Sequence, residues 1–221
     1  MKKAFFDTNV LIAFVFLLNS LHSKSQKAFD KYDEFFWSNF VKDEFDRRYF
    51  NKQKNVKLFF KDLQKYLKNP NQEFFSAFDL NNFARKNYSG KLRDDAKSSI
   101  SPFWEEYLGV ETQISFLNMK NAIDFCLRDI SLTLNNSKKN LENKMRLTPQ
   151  RTNNYFYIDK LLKNQGVEDA DRTVTLDGHD FACFNSSPVD FVTFDDACFN
   201  GASNVEALCF ESVKGKYDFA S

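Results

Sequence analysis

Two short apolar runs, one near each end of the chain, stop on aspartate. Ala4-Phe5-Phe6 leads into Asp7-Thr8-Asn9 and a second apolar stretch, Val10-Leu11-Ile12; Val189-Asp190-Phe191-Val192-Thr193-Phe194 leads into Asp195-Asp196. Each run reads as a short buried strand, and the residues from Asn9 onward read as a buried helix, which puts both acids at C-terminal strand tips. An acid beside a helix start is also an ordinary cap for free backbone amides. Two such tips meeting in one crevice are different, because ligands of open α/β sheets bind at the carboxyl ends of the strands. Further acids fall on helical patterns. Glu44 closes the pattern Ser38-x-x-Val41-x-x-Glu44, with Val41 and Phe45 turning it towards the core, and Asp177 and Asp180 share one helical face at i and i+3. Carboxylates from separate elements are the natural hosts of one or two divalent metals. Such ions neutralise phosphoryl oxygens and make water nucleophilic, the two requirements of phosphodiester hydrolysis.

The elements that must position these acids alternate at the two ends of the chain. Glu34-Phe35-Phe36-Trp37-Ser38 reads as a second short strand, with Ser38 capping a helix from Asn39 to about Phe50. Thr148-Pro149 reads as a helix start and Gly166 as a helix exit. A helix opens at about Val167 and runs to about Asn185, a strand follows at 190–194, a short helix begins at Asp196, which would cap it, and 206–210 reads as a last strand. Asp169 and Asp171 read as solvated acids complementing the dipole of that helix start. Between the two ends the pattern is helical, broken at Asn69-Pro70-Asn71 and Tyr88-Ser89-Gly90. The expected fold is α/β, three-layer α/β/α with a small parallel sheet formed by about 1–50 and 166–221, and interrupted by an all-helical insertion at about 50–165.

Composition narrows the chemistry. The 221 residues suffice for one domain with a large insertion, and 27 Phe against 6 Gly and 4 Pro favour long helices over a turn-rich β protein. Cys126, Cys183, Cys198 and Cys209 form no Cys-x-x-Cys pair, which argues against a zinc site and for reduced thiols. Lys2-Lys3 followed by Val10–Leu18 imitates a signal peptide, but Asp7 and Asn9 interrupt it and the apolar run is about half the roughly 20 residues that span a bilayer. A cytoplasmic protein without a membrane partner is expected. The net charge is +1, unevenly spread: 22 Lys/Arg against 12 Asp/Glu from Arg47 to Lys163, and 9 against 18 in the rest. A basic middle suits phosphate holding, with Tyr88, Trp104 or Tyr107 as candidates for base stacking. No Gly-rich loop follows the first strand, so a dinucleotide fold is unsupported. A phosphatase reading wants Asp-x-Asp-x-Thr where the chain has Asp7-Thr8-Asn9. With only His22 and His179, neither beside a nucleophile motif, Ser-His-Asp and Cys-His catalysis are also unsupported.

Asp7 in Asp-Thr-Asn, Glu44 in the second helix, a later helical Asp and Asp195 after the following strand together resemble the PIN-domain nucleases, over roughly 3–50 and 168–212. Asp177 lies 18 residues before Asp195, a spacing similar to the family's, with Asp180 one turn on as the other choice, and Ala182 at a small packing position. The resemblance implies a Mg²⁺- or Mn²⁺-dependent endonuclease acting on RNA, or on DNA. It also implies direct attack of water on phosphorus, Thr193 orienting that water, and metal ligands Asp7, Glu44, Asp177, Asp180 and Asp195. Small members of the family act as toxins with an antitoxin partner or as homo-oligomers, but lack an insertion of this length. The competing reading is a PIN-like module without catalysis that binds RNA or protein.

Overall fold

The computed structural model describes residues 1–68, 73–185 and 188–203, with the backbone alone at 204 and 210–213. In chain order these form β1 (Lys3–Phe6), α1 (Thr8–Val15), α2 (His22–Phe29), β2 (Glu34–Trp37), α3 (Asn39–Tyr66), β3 (Phe74–Phe75), α4 (Ala77–Asn87), α5 (Gly90–Tyr107), β4 (Ile114–Ser115), α6 (Phe116–Lys144), β5 (Met145–Leu147), α7 (Phe156–Asn164), α8 (Asp169–Cys183), β6 (Val189–Val192), α9 (Asp196–Asn204) and β7 (Phe210–Val213). The expected last strand at 206–210 lies outside the described residues except for Phe210, as does Cys209. No described helix is long and apolar enough to cross a membrane.

Two units divide the chain: residues 1–15, 21–47 and 140–221 make the first, and 16–20 with 48–139 the second. The first is α/β. Its five strands run parallel in the order β5-β2-β1-β6-β7. The chain therefore builds outward from β1 through β2 to β5, then returns to lay β6 on the other side of β1. Strand order thus reverses between β1 and β6, the switch point at whose carboxyl ends open α/β sheets form their ligand crevice. Period-2 alternation distributes the aromatics over both faces of the sheet. Phe5, Phe36 and Phe191 share one face, where Phe36 meets Phe181 of α8 with ring centroids 4.6 Å apart. On the other face Phe6 stacks on Phe29 of α2 at 4.4 Å. Gly178 lets α8 lie close: a Cβ there would stand 3.1 Å from Phe5 and 3.2 Å from Phe191.

The second unit is helical but contains a short antiparallel pair, Phe74–Phe75 with Ile114–Ser115, so the expectation of an all-helical insertion is corrected. Its core includes Val56, Phe59, Phe60, Phe103, Met119 and Ile123, all at most 1% exposed. The unit also ends at Lys139 rather than 165, because Met145–Leu147 pairs with β2 as a third sheet strand. Thr148-Pro149 does not start a helix. The Thr148 amide instead continues the β2–β5 ladder by donating to Trp37 O at 2.9 Å, and α7 begins at Phe156. The three aromatics expected to stack on bases are engaged in packing: Trp104 is 8% exposed, the Tyr88 hydroxyl donates to Asp62 at 3.0 Å, and the Tyr107 hydroxyl donates to Asp129 at 2.9 Å.

Candidate active site

At the crevice between β1 and β6, Asp7 is 3% exposed and its amide extends the ladder by donating to Val192 O at 2.9 Å. Its Oδ2 accepts from the Thr193 hydroxyl at 2.7 Å and from Asn9 Nδ2 at 2.6 Å. Asn9 is a second tie across the gap, since its Oδ1 accepts from the Phe194 amide at 2.9 Å. The Thr193 oxygen accepts in turn from the Asp195 amide at 3.0 Å. Its proton is thus committed to Asp7, so Thr193 orients that carboxylate.

Glu44 reaches the same place from α3. Ser38 caps that helix through Val41 N–H at 3.3 Å, and the fully buried Val41 and Phe45 hold Glu44 inward, 6% exposed. Thr8, at the first turn of α1, donates its hydroxyl to Glu44 Oε2 at 2.6 Å. The two neighbouring residues Asp7 and Thr8 therefore reach both β6 and α3.

The third acid differs from the expectation. Asp177 pairs with Arg151 Nε at 2.9 Å, and Asp180 accepts from the Tyr155 hydroxyl at 2.9 Å. An acid nearer the start of α8, Asp171, adds with Glu44 to the raised pKa of Asp7. Helical geometry explains this: at about 100° per residue, Asp171, Thr175, Gly178 and Ala182 fall on one face, and Gly178 fixes that face against the sheet. Asp180 then lies about half a turn away. Because α8 leads into β6 and runs antiparallel to it, its first turn, not its middle, comes to the carboxyl edge of the strands.

Asp195 completes the set, with its Oδ1 accepting from the Cys198 amide at 2.7 Å. It, rather than Asp196, caps α9, and Asp196 is the first residue of that helix. Cys198, fully buried and 3.2 Å from the Thr175 hydroxyl, has its thiol pushed well above the ordinary range by burial, with the charges of Asp7, Asp171 and Asp195 adding to the effect. The charges of three acids thus act on one thiol, which the sequence marked only as reduced.

Burial pushes the Asp7 carboxyl up to about 7; the Thr193 hydrogen bond opposes this, while Asp171 and Glu44 add to it. A carboxyl in that state gains from a cation, and the donors are hard oxygens of the kind Mg²⁺ and Mn²⁺ prefer. Among the described residues, no group of three or more His, Cys, Asp or Glu side chains is already arranged to hold a metal ion. Comparison of the chain with protein-family models, curated proteins and solved structures returned no match.

Proposed function

We propose that the chain is a metal-dependent endonuclease of the PIN-like kind, hydrolysing phosphodiester bonds in RNA. The observation that carries this reading is the burial of Asp7 and Glu44 at the point where strand order reverses, with Thr8, next to Asp7, donating to Glu44 and Asp195 capping α9 just beyond the tip of β6; the charge of Asp171 also raises the Asp7 pKa. Helix packing on both sheet faces, through Phe29 on one and Phe181 on the other, supports a three-layer PIN-like arrangement. A buried carboxylate such as Asp7, its pKa raised by burial with neighbouring acids adding to the effect, is costly unless a cation compensates it, which favours a catalytic role over simple capping.

Asp7, Glu44, Asp171 and Asp195 would hold Mg²⁺ or Mn²⁺, with Asp171 replacing Asp177 and Asp180 in the ligand set. Bound there, the metal supplies positive charge to phosphoryl oxygens and acidifies water. The protein's own part is orientation. Thr193 and Asn9 fix one oxygen of Asp7, Thr8 fixes one oxygen of Glu44, and the cap to Cys198 fixes one oxygen of Asp195. Asp171 and Asp195 are only partly buried and so have room to turn towards a cation.

The test is cleavage of end-labelled RNA with Mn²⁺, with EDTA, and with Asp7→Asn in Mn²⁺. Cleavage should require both the metal and Asp7. If the variant cuts as fast as the parent, the nuclease assignment fails. RNA binding without cleavage under any metal would leave the non-catalytic module as the better reading.

A further inference from the structure

The second unit contains a cavity of about 330 Å³ between the end of α3, β3 and α4. Its lining combines Tyr66, Phe75 and Phe83 with Asn82, Lys86 and Asn87. We infer that this cavity binds an adenine nucleotide, taken as one unit of a single-stranded RNA. The volume lies in the small-molecule range of roughly 300–1,000 Å³. Phe75, 2% exposed, gives an apolar floor, and Tyr66, 43% exposed, offers ring surface at the rim. The Tyr66 and Phe83 rings are 5.2 Å apart at 46°, so they do not stack face to face, and ring surface remains for a base.

The polar groups select the base. The Asn82 side chain makes no hydrogen bond among the described residues. A free side-chain amide is the group that pairs with both the amino donor and the ring-nitrogen acceptor of adenine. Asn87 spends Nδ2 on Phe83 O at 2.8 Å, which leaves its oxygen as a further acceptor. The acid in the lining, Asp79, is engaged in the α4 capping box with the Ser76 amide at 2.8 Å and hydroxyl at 2.7 Å. Lys86, exposed and without an ion pair among the described residues, is the counter-charge for a phosphate. A strand is preferred to a free nucleotide because residues 48–139 carry 16 Lys/Arg against 10 Asp/Glu, an excess suited to a run of phosphates.

This inference does not rest on the nuclease reading, since the cavity belongs to the second unit and its test is run in EDTA. Anisotropy of fluorescein-labelled ten-nucleotide oligo(A) and oligo(U) is measured with the full chain, with unlabelled AMP as competitor and thermal unfolding as a check on each variant. Asn82→Ala should weaken oligo(A) about 10-fold and oligo(U) less than about 2-fold. Lys86→Gln should weaken both and lower the slope of log K against log salt by about 0.7. Tyr66→Leu should weaken both about 10-fold through lost stacking. Equal losses on oligo(A) and oligo(U) in Asn82→Ala would overturn the adenine assignment. Competition by AMP as strong as by oligo(A) would overturn the strand, and three variants that bind like the parent would overturn the site.

Discussion

The Thr193 hydroxyl donates to Asp7 Oδ2 at 2.7 Å across 186 residues of sequence. This bond joins the tips of β1 and β6 and sets the orientation of the most buried acid in the site. It is also the interaction that most lowers the pKa of Asp7, opposing burial. Geometry and charge at the centre of the crevice therefore depend on one hydroxyl.

Thr193→Val keeps the shape and removes that hydroxyl. Loss of the donor leaves a buried carboxylate oxygen less satisfied, a change worth about 1–3 kcal/mol. Mn²⁺-dependent cleavage should fall roughly 10–100-fold, in line with loss of a positioning contact, while the far-UV spectrum stays unchanged. Steady-state cleavage rates and circular dichroism check this; full activity would mean that the bond does not position Asp7 for chemistry.

The raised pKa of Asp7 gives the metal-free protein a pH-dependent stability. Burial lifts it from 3.8 to about 7, so the folded state binds the proton more tightly than the unfolded state. The associated stability is fully present below about pH 4 and is lost as pH rises through about 7. The full effect is on the order of 4 kcal/mol at 1.36 kcal/mol per unit. In EDTA, urea denaturation should show the parent losing stability between pH 5 and 8 and Asp7→Asn losing much less. Unfolding of Asp7→Asn throughout this pH range would identify Asp7 as a structural cap instead.

Gly201 in α9 links the packing to the acids. A Cβ there would overlap Cγ2 of Val167, a stiff β-branched side chain 3% exposed, in the segment just before α8. The clash costs about 1–3 kcal/mol and outweighs the helix-propensity gain of about 1 kcal/mol. Gly201→Ala should therefore lower the melting temperature. Because Val167 leads into the turn carrying Asp171 while α9 carries the Asp195 cap, apparent Mn²⁺ affinity should fall as well. A variant as stable as the parent would show that the α8–α9 contact yields freely.

Much of the first unit was legible in the sequence because its signals are local. Apolar runs ending on Asp7 and just before Asp195 mark two strand tips, and Ser38 followed by Val41, Glu44 and Phe45 marks a capped helix with one inward acid. Met145–Leu147 carried no such signal: it has three residues, only Met145 is buried, and it becomes a strand solely by pairing with β2. The proposed third acid differs from the sequence expectation because spacing to Asp195 took precedence there over helix direction. Since α8 leads into β6, its first turn is the part near the other tips, a topological constraint that points to Asp171. Asp177 and Asp180 are instead bound by Arg151 and Tyr155, partners at a sequence distance that no helical pattern reveals.

That correction yields the most discriminating prediction. Asp171→Asn removes a charge that raises the Asp7 pKa and one that raises the Cys198 pKa. It should abolish Mn²⁺-dependent cleavage and most of the rise in melting temperature that Mn²⁺ gives the parent, because a ligand that binds only the folded state stabilises it by mass action. Without metal, the variant should be as stable as the parent or more so, since like-charge repulsion is relieved. Asp177→Asn breaks the Arg151 ion pair, and Asp180→Asn replaces the charged acceptor of the Tyr155 hydroxyl in a buried position, 5% exposed. Both should lower metal-free stability, Asp180→Asn by about 1–3 kcal/mol, yet keep the Mn²⁺ response and the cleavage. Thermal unfolding of the three variants with and without Mn²⁺, read beside their cleavage rates, separates the assignments. A normal Mn²⁺ shift in Asp171→Asn with its loss in Asp177→Asn or Asp180→Asn would return the third ligand to the middle of α8.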